Sequence, residues 1–159
     1  MPKSNFERML QLADEVFAVK NDPEQLDVNQ EVLERLMRIH PATVSEYDDG
    51  NGPVAWILLI PTTLDFMHQF LDQAISEKEL FERTQLDTKY EALYLCSALV
   101  LEEYRRKGIA KRLTLQAIEN IRQDHPLKAL FVLTFSEEGD FGAEALACYT
   151  SLPLYRRPK

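Results

Sequence analysis

Five cations and one glycine crowd into Arg105-Arg-Lys-Gly-Ile-Ala-Lys-Arg112, directly after an apolar run that ends at Leu101. Helical spacing resumes at Ile109, so the segment reads as strand, tight turn and helix start. The first N–H groups of a helix have no partner within it and point to one place. With positive charge beside them, that place suits a phosphate or pyrophosphate. A plain basic helix start on a solvated face is the rival reading. It is weakened because cations at a helix N-terminus oppose the macrodipole, by a few tenths to ~1 kcal/mol each. Two known phosphate loops do not fit. A P-loop needs two glycines around four residues and a hydroxyl after its lysine, where Arg112 and Leu113 stand here. A dinucleotide fingerprint needs three glycines, and only Gly108 is present.

The segment Val100-Leu-Glu-Glu-Tyr-Arg-Arg-Lys-Gly-Ile-Ala110 resembles the acyl-CoA loop of the GNAT superfamily of N-acyltransferases. That pattern is a strand ending in Val-x-Pro-x-Tyr/Trp, then Arg/Gln-x-x-Gly-x-Gly/Ala opening a helix. Val100, Tyr104, Arg105, Gly108 and Ala110 match in register, and Glu102 replaces the proline. The resemblance implies a mixed α/β sheet in three layers, as one domain over residues 1–159. It also implies acetyl-CoA as co-substrate, with no metal. The strand before the loop would splay from its neighbour, leaving the backbone of Ala98, Leu99 and Val100 to the pantetheine arm. The N–H groups of Arg106, Lys107, Gly108, Ile109, Ala110 and Lys111 would hold the pyrophosphate. Arg105, Arg106, Lys107 and Lys111 would offset charge on the diphosphate and ribose phosphate. Gly108 brings no Cβ between backbone and anion, and Ala110 keeps the next turn small.

A second family pattern is a helix with Asn-x-x-Ala-x-x-Leu-Tyr, followed by Gly-Phe. Here Ala145 and Tyr149 match, Gly142 stands at the asparagine, and Pro153-Leu154 replace Gly-Phe. Small residues at 143, 145 and 147 would let a cofactor lie close to the helix. By the resemblance Tyr149 is the general acid, protonating the departing thiolate. A phenol near pKa ~10 protonates a thiolate near ~8.5 only with help from geometry. An aromatic that anchors the helix to the sheet is an equal reading of Tyr149. The implied reaction is direct attack of a primary amine on the thioester, so the enzyme positions the partners and removes a proton. Glu91, Glu137 and Glu138 are the carboxylates near where a base would act, but each reads first as a solvated surface carboxylate, and none is assigned as the base. Two alternatives stand beside the transferase. One is a degenerate member that binds coenzyme A without transfer, suggested by Gly142, Pro153-Leu154 and the short C-terminus. The other is a relative in fold alone, whose basic turn takes a different anion. The acceptor, a peptide or small-molecule amine, stays open.

The elements that must position these residues follow from periodicity. Ser4 caps a helix with Phe6, Met9, Leu10, Ala13, Val16 and Phe17 on one face, and Asp22-Pro23 breaks it. A second helix carries Val28, Val32, Leu33, Leu36 and Ile39 and stops near His40-Pro41. Thr43–Tyr47 and Val54–Ile60 form a hairpin around Asp48-Asp-Gly-Asn-Gly52. Residues 62–89 hold two short helices, the second opened by the capping box Ser76-Glu-Lys-Glu79. Ala92–Leu101 reads as a strand covered on both faces. A helix over Ile109–Ile121, a strand over Leu127–Phe135 and a helix over Phe141–Leu152 complete one parallel βαβ unit. The helical insert at 62–89 would close the acceptor side, form a homodimer contact, or simply decorate the surface.

Composition excludes several classes. At 159 residues there is room for one sizeable core. The net charge of −8 argues against general nucleic-acid binding and leans towards a cationic acceptor. The run Val54–Pro61 is far too short to span a membrane, and Met1–Glu7 has no apolar signal region. A cytoplasmic location is expected. Cys96 and Cys148 read as reduced core residues, Trp56 and Tyr94 as core aromatics. His40, His68 and His125 lack metal-ligand spacing.

Overall fold

The computed structural model describes residues 4–19, 30–133 and 137–157. Its helices are α1 (Asn5–Val19), α2 (Gln30–Ile39), α3 (Leu64–Leu71), α4 (Glu77–Arg83), α5 (Ile109–Asp124) and α6 (Glu137–Thr150). Its strands are β1 (Val44–Asp48), β2 (Pro53–Thr62), β3 (Ala92–Val100), β4 (Ala129–Leu133) and β5 (Leu154–Arg157). Expectations for Asp22-Pro23, Val28 and Phe135, and for the side chains of Val16, Phe17 and Phe141, lie outside the described residues.

The strands form one sheet in the order β1-β2-β3-β4-β5. The first three are antiparallel, and β3, β4 and β5 run parallel. Alternation along the strands splits the core into two layers. Leu58, Ile60, Tyr94 and Phe131 meet α2, α3 and α4 on one face. Ile57, Leu59, Leu93 and Leu130 meet α5 and α6 on the other. A third cluster, Met9, Val54, Leu99 and Leu101, seats α1 at the end of the sheet where the basic turn begins. The three-layer mixed sheet expected from the sequence is therefore present.

Local chemistry sets the boundaries of the insert. Thr63 Oγ1 accepts from the Phe66 N–H and caps α3 at 3.2 Å. Ser76 and Glu79 form the reciprocal capping box that opens α4. A buried hydroxyl pair, Thr62 to Thr84 at 2.7 Å, closes the insert back onto β2. Met67, Phe70, Ile75, Leu80 and Phe81 all enter the main core. The insert is thus structural, not surface decoration.

Four expectations need correcting. Leu154–Arg157 is a strand, although its short, basic sequence between prolines carries no apolar alternation. As an edge strand β5 tolerates Pro153, whose carbonyl accepts from the Leu130 N–H at 2.9 Å. Arg156 pairs with Glu144 at 2.7 Å, and the Arg157 guanidinium lies 4.5 Å from the Phe70 ring centre. Helix α6 begins at Glu137, because an acidic Glu-Glu-Gly-Asp start suits the positive end of a helix as well as a turn. Cys148 is exposed and so not a core cysteine, whereas Cys96 is half-buried and packs against the main core. Trp56 is half-buried, with its indole N–H donating to Glu46 at 2.7 Å. Tyr94 is core as expected, and burial first, then the neighbouring Glu77 carboxylate, pushes its phenol well above the usual range. Among the described residues no helix is long and apolar enough to cross a membrane.

Phe70 is fully buried, 5.1 Å from the Tyr94 ring and 5.7 Å from the Phe131 ring. Replacing it with alanine removes an aromatic from the centre of the insert's packing. Phe70→Ala is expected to cost about 3–5 kcal/mol in urea denaturation. A loss below about 1 kcal/mol would show that the insert does not help hold the sheet.

Candidate functional site

The sheet opens in its middle. β3 pairs with β4 only through Ala92↔Ala129, Leu93↔Leu130 and Tyr94↔Phe131. Beyond that point Val132 and Leu133 pair with Arg156 and Arg157 of β5, while among the described residues β3 continues to Val100 against β2 alone. The register shifts where the strands part, from Leu59↔Leu95 to Leu58↔Ser97, so Cys96 is an inserted residue. Such a bulge bends a strand and increases its twist. Burial follows the opening: Ala92, Leu93 and Tyr94 are buried, Leu95, Cys96 and Ser97 half-buried, and Ala98 exposed. The strand is therefore not covered on both faces throughout. Ala98, Leu99 and Val100 all lie in the open half. Ala98 is accessible, Leu99 packs under α1, and the Val100 carbonyl accepts from Arg105 Nε at 2.9 Å.

At the end of that half, a 3-10 turn over Glu102–Tyr104 leads into the basic loop. Arg105 is extended, Arg106 has φ 64°, and Gly108 has φ 77° at the head of α5. A side-chained residue in the left-handed region costs about 1 kcal/mol, which the loop accepts at Arg106. A Cβ built on Gly108 would meet nothing within 4 Å. The space beside this turn is open, as a backbone cradle for an anion requires. Ile109 is buried and fixes the first turn of α5, with Ala110 and Lys111 half-buried behind it. The cations diverge instead of converging. Arg105 folds back on β3, Lys107 Nζ lies 5.6 Å from the Tyr104 ring, and Lys111 Nζ lies 4.0 Å from the Tyr149 ring. Arg106 is exposed beside them.

Two cross-links hold the loop from the other side. The Tyr104 hydroxyl donates to the Asp49 carboxylate in the turn between β1 and β2. Arg8 of α1 pairs with Glu103 at 2.6 Å. Asn5 Nδ2 reaches the Gly52 carbonyl at 3.4 Å, so α1, the hairpin turn and the loop meet at one point. The Tyr104 hydrogen bond holds Asp49 below the usual carboxylate range, and Asp49 in turn raises the Tyr104 phenol. The Arg8 hydrogen bond similarly lowers Glu103. Sequence reading missed Asp49, Arg8 and Glu103. The acidic turn looked like a turn signal alone, and nothing local couples Asp49 to Tyr104.

Tyr149 is 67% exposed, which rules out the sheet-anchor reading. Its ring instead meets the Lys111 side chain, while the neighbouring Thr150 carbonyl accepts from Arg122 near the other end of α5 at 3.0 Å. Ala143 is buried against the sheet and does not line an opening, whereas Gly142 is exposed and Ala145 and Ala147 are half-buried. Glu91 stands at the opposite end of β3 from the basic turn, paired with Lys128 at 2.8 Å. Over a nine-residue strand that is roughly 30 Å. The side chains of Glu137 and Glu138 lie outside the described residues. His40 and His125 come within 5.9 Å of each other, against expectation. His40 bonds Asp124 at 2.6 Å and accepts from the Ala42 N–H at 3.0 Å, a bridge from the end of α2 to the end of α5. Burial lowers the His125 pKa. No group among the described residues could hold a metal ion.

A strand pair that parts beside a glycine-headed basic helix start is the arrangement expected of an acyl-CoA loop. The family model described as acetyltransferase (GNAT) family matches residues 6–149. The chain belongs to the GNAT acetyltransferase family. No curated protein matches it. Among solved structures it is similar to the NatB acetyltransferase complex bound to a bisubstrate inhibitor, at 16% identity over 84% of this chain and 67% of that one, TM-score 0.50. That likeness is one of fold. Also similar are an aminoglycoside acetyltransferase, meta-AAC0020, from an uncultured soil metagenomic sample (19% identity, 92% and 77% covered, TM-score 0.49). So is Chaetomium thermophilum Naa20 with a bisubstrate analogue (14% identity, 91% and 63% covered, TM-score 0.49).

The Asp49–Tyr104 bond has a defined pH window. Asp49 is depressed in the fold, so its contribution is present above the unfolded carboxylate range near ~4 and is lost as pH falls through the folded value. Tyr104 is raised, so its contribution is present below ~10 and is lost as pH rises through its folded value. Asp49→Asn is expected to lower the urea midpoint at pH 7, with the gap to wild type closing below about pH 4. A gap that stays constant down to pH 3 would show that the carboxylate's charge plays no part.

Proposed function

We propose that this GNAT family member transfers an acetyl group from acetyl-CoA to a primary amine. The observation that carries the reading is the open edge of β3 leading to the glycine-headed start of α5, with open space beside Gly108. An extended amide-bearing arm can pair with a strand edge, and a diphosphate can sit on the N–H groups of Arg106 to Lys111. Those two demands describe coenzyme A. Both fit the residues present, because Ala98 is small and exposed and no Cβ intrudes at position 108.

Chemically, a C–N bond forms to the acceptor amine as the C–S bond of the thioester breaks. Tyr149 gives its phenol proton to the departing sulfur, and the proton lost by the attacking amine passes to solvent, from which the phenol is restored. Positioning supplies the rest of the rate. The net charge of −8 favours a cationic acceptor, peptide or small molecule. One observation favours the second reading, coenzyme A binding without transfer: the family's asparagine position on α6 is Gly142.

Coenzyme A is expected to raise the melting temperature of the wild type. Gly108→Val should abolish that rise, since the new side chain strains a backbone at φ 77° and enters the open space. An unchanged rise would remove the loop from the site. Tyr149→Phe is expected to lower kcat with an amine acceptor by about 10²- to 10⁴-fold, leaving the Kd for coenzyme A within twofold. Equal turnover would remove Tyr149 as the acid. Coenzyme A binding with no thiol release across an amine panel would favour the second reading.

A further inference from the structure

A coenzyme arm that starts at Gly108 and follows the open edge of β3 ends where the strands close, at Tyr94 and Phe131. Its thioester then lies in the gap just above that pair. The two faces of the gap differ. One is covered by α5, headed by Gly108, and by α6, with Tyr149 in its last turn. On the other, Tyr94, Phe131 and the inserted Cys96 pack with α3 and α4 of the insert. With the coenzyme on the first face, the amine approaches from the second.

A carboxylate stands on that second face, against the closing pair. The Tyr94 hydroxyl donates to Glu77 Oε2 at 2.6 Å. Tyr94 is buried and its phenol is held above the usual range, so it keeps its proton and orients the carboxylate as a donor. A carboxylate has about four acceptor positions, and this bond takes one of them. Glu77 is half-buried as the first residue of α4, behind the Ser76 cap, so it meets Tyr94 on one side and solvent on the other. Arg157 of β5 donates to the Ile75 carbonyl at 3.2 Å, two residues before Glu77, and ties this end of the insert to the parted strands. Glu91 lacks this placement: it pairs with Lys128 at the closed end of β3.

We infer that Glu77 takes the proton from the acceptor amine, with Tyr94 as its positioning residue. The inference rests on the acetyl-transfer reading of the site. As the amine nitrogen bonds to the thioester carbon and the C–S bond breaks, the nitrogen's proton passes to Glu77, directly or across one water. Glu77 releases it to solvent, which also restores the proton that Tyr149 gives to sulfur, so no net proton is consumed. A carboxylate in this place also attracts an acceptor that arrives as an ammonium ion. The insert thereby supplies a reacting group as well as packing.

The test is acetyl transfer by the full chain to the fastest acceptor in a panel of butylamine, spermidine and a lysine peptide. Glu77→Gln keeps the side chain's size and an oxygen for the Tyr94 hydroxyl. It is expected to lower kcat/KM by about 10²- to 10⁴-fold, while coenzyme A raises its melting temperature as it does that of wild type. Formate should restore part of the rate to Glu77→Ala, which a purely structural role would not allow. Without coenzyme, the carbon NMR signal of the Glu77 carboxylate should shift with butylammonium and not with butanol. If Glu77→Gln transfers as fast as wild type, loses the coenzyme A response together with its rate, or if the carboxylate signal does not move, Glu77 is not the proton acceptor and the transferase reading stands. If wild type acetylates no amine of the panel, both readings fall.

Discussion

Everything functional in this chain depends on one parting of strands, between β3 and β4 after Tyr94 and Phe131. Two causes act at the same place. The inserted Cys96 bends β3, and β5 gives Val132 and Leu133 a partner on the far side. A strand edge inside a sheet carries backbone groups that need partners. A ligand with amide groups can supply them and gain binding energy. The exposure of Ala98 beside buried Leu99 marks this edge as reachable while the strand stays seated.

The loop at the end of that edge adopts a conformation that a free peptide would rarely populate. Arg106 and Gly108 both have positive φ within three residues. Two links from distant parts of the chain, Arg8 to Glu103 and Tyr104 to Asp49, keep the loop in this shape. The Arg8–Glu103 pair is exposed, and exposed ion pairs contribute little to global stability; the Tyr104–Asp49 bond is part-buried. Their effect is local: they limit the loop's alternatives, and a site already in its binding shape loses less entropy on binding.

The boundaries of legibility are physical. The basic turn was readable because strand, glycine and helix start are consecutive, so local rules suffice. The capping box at Ser76 and Glu79 was readable for the same reason. β5 was not, because it is short and lies on an edge, where sheet pairing rather than side-chain pattern decides. The opening of β3 was expected from the family resemblance alone; the residues themselves do not show it, because Leu95 to Val100 are as apolar as residues 92–94, and only the partner strand tells them apart. The Asp49–Tyr104 bond joins residues 55 apart and leaves no local trace. Tyr149 was legible as a family match, but its exposure and its Lys111 neighbour were not.

A sheet that gives up pairing in its centre must be held firmly just below the gap. Here the last paired residues, Tyr94 and Phe131, stack with ring centres 5.1 Å apart, and Phe70 of the insert closes on both. Aromatic contacts of this kind add about 0.5–1.5 kcal/mol beyond the area they bury. The Tyr94 hydroxyl donates to Glu77 of α4 at 2.6 Å, and Arg157 of β5 covers the other side of Phe70. The insert and the edge strand therefore brace the same pivot. That gives residues 62–89 a physical role that needs no contact with the acceptor: they hold the hinge of the opening so that its width is set by packing, not by the ligand.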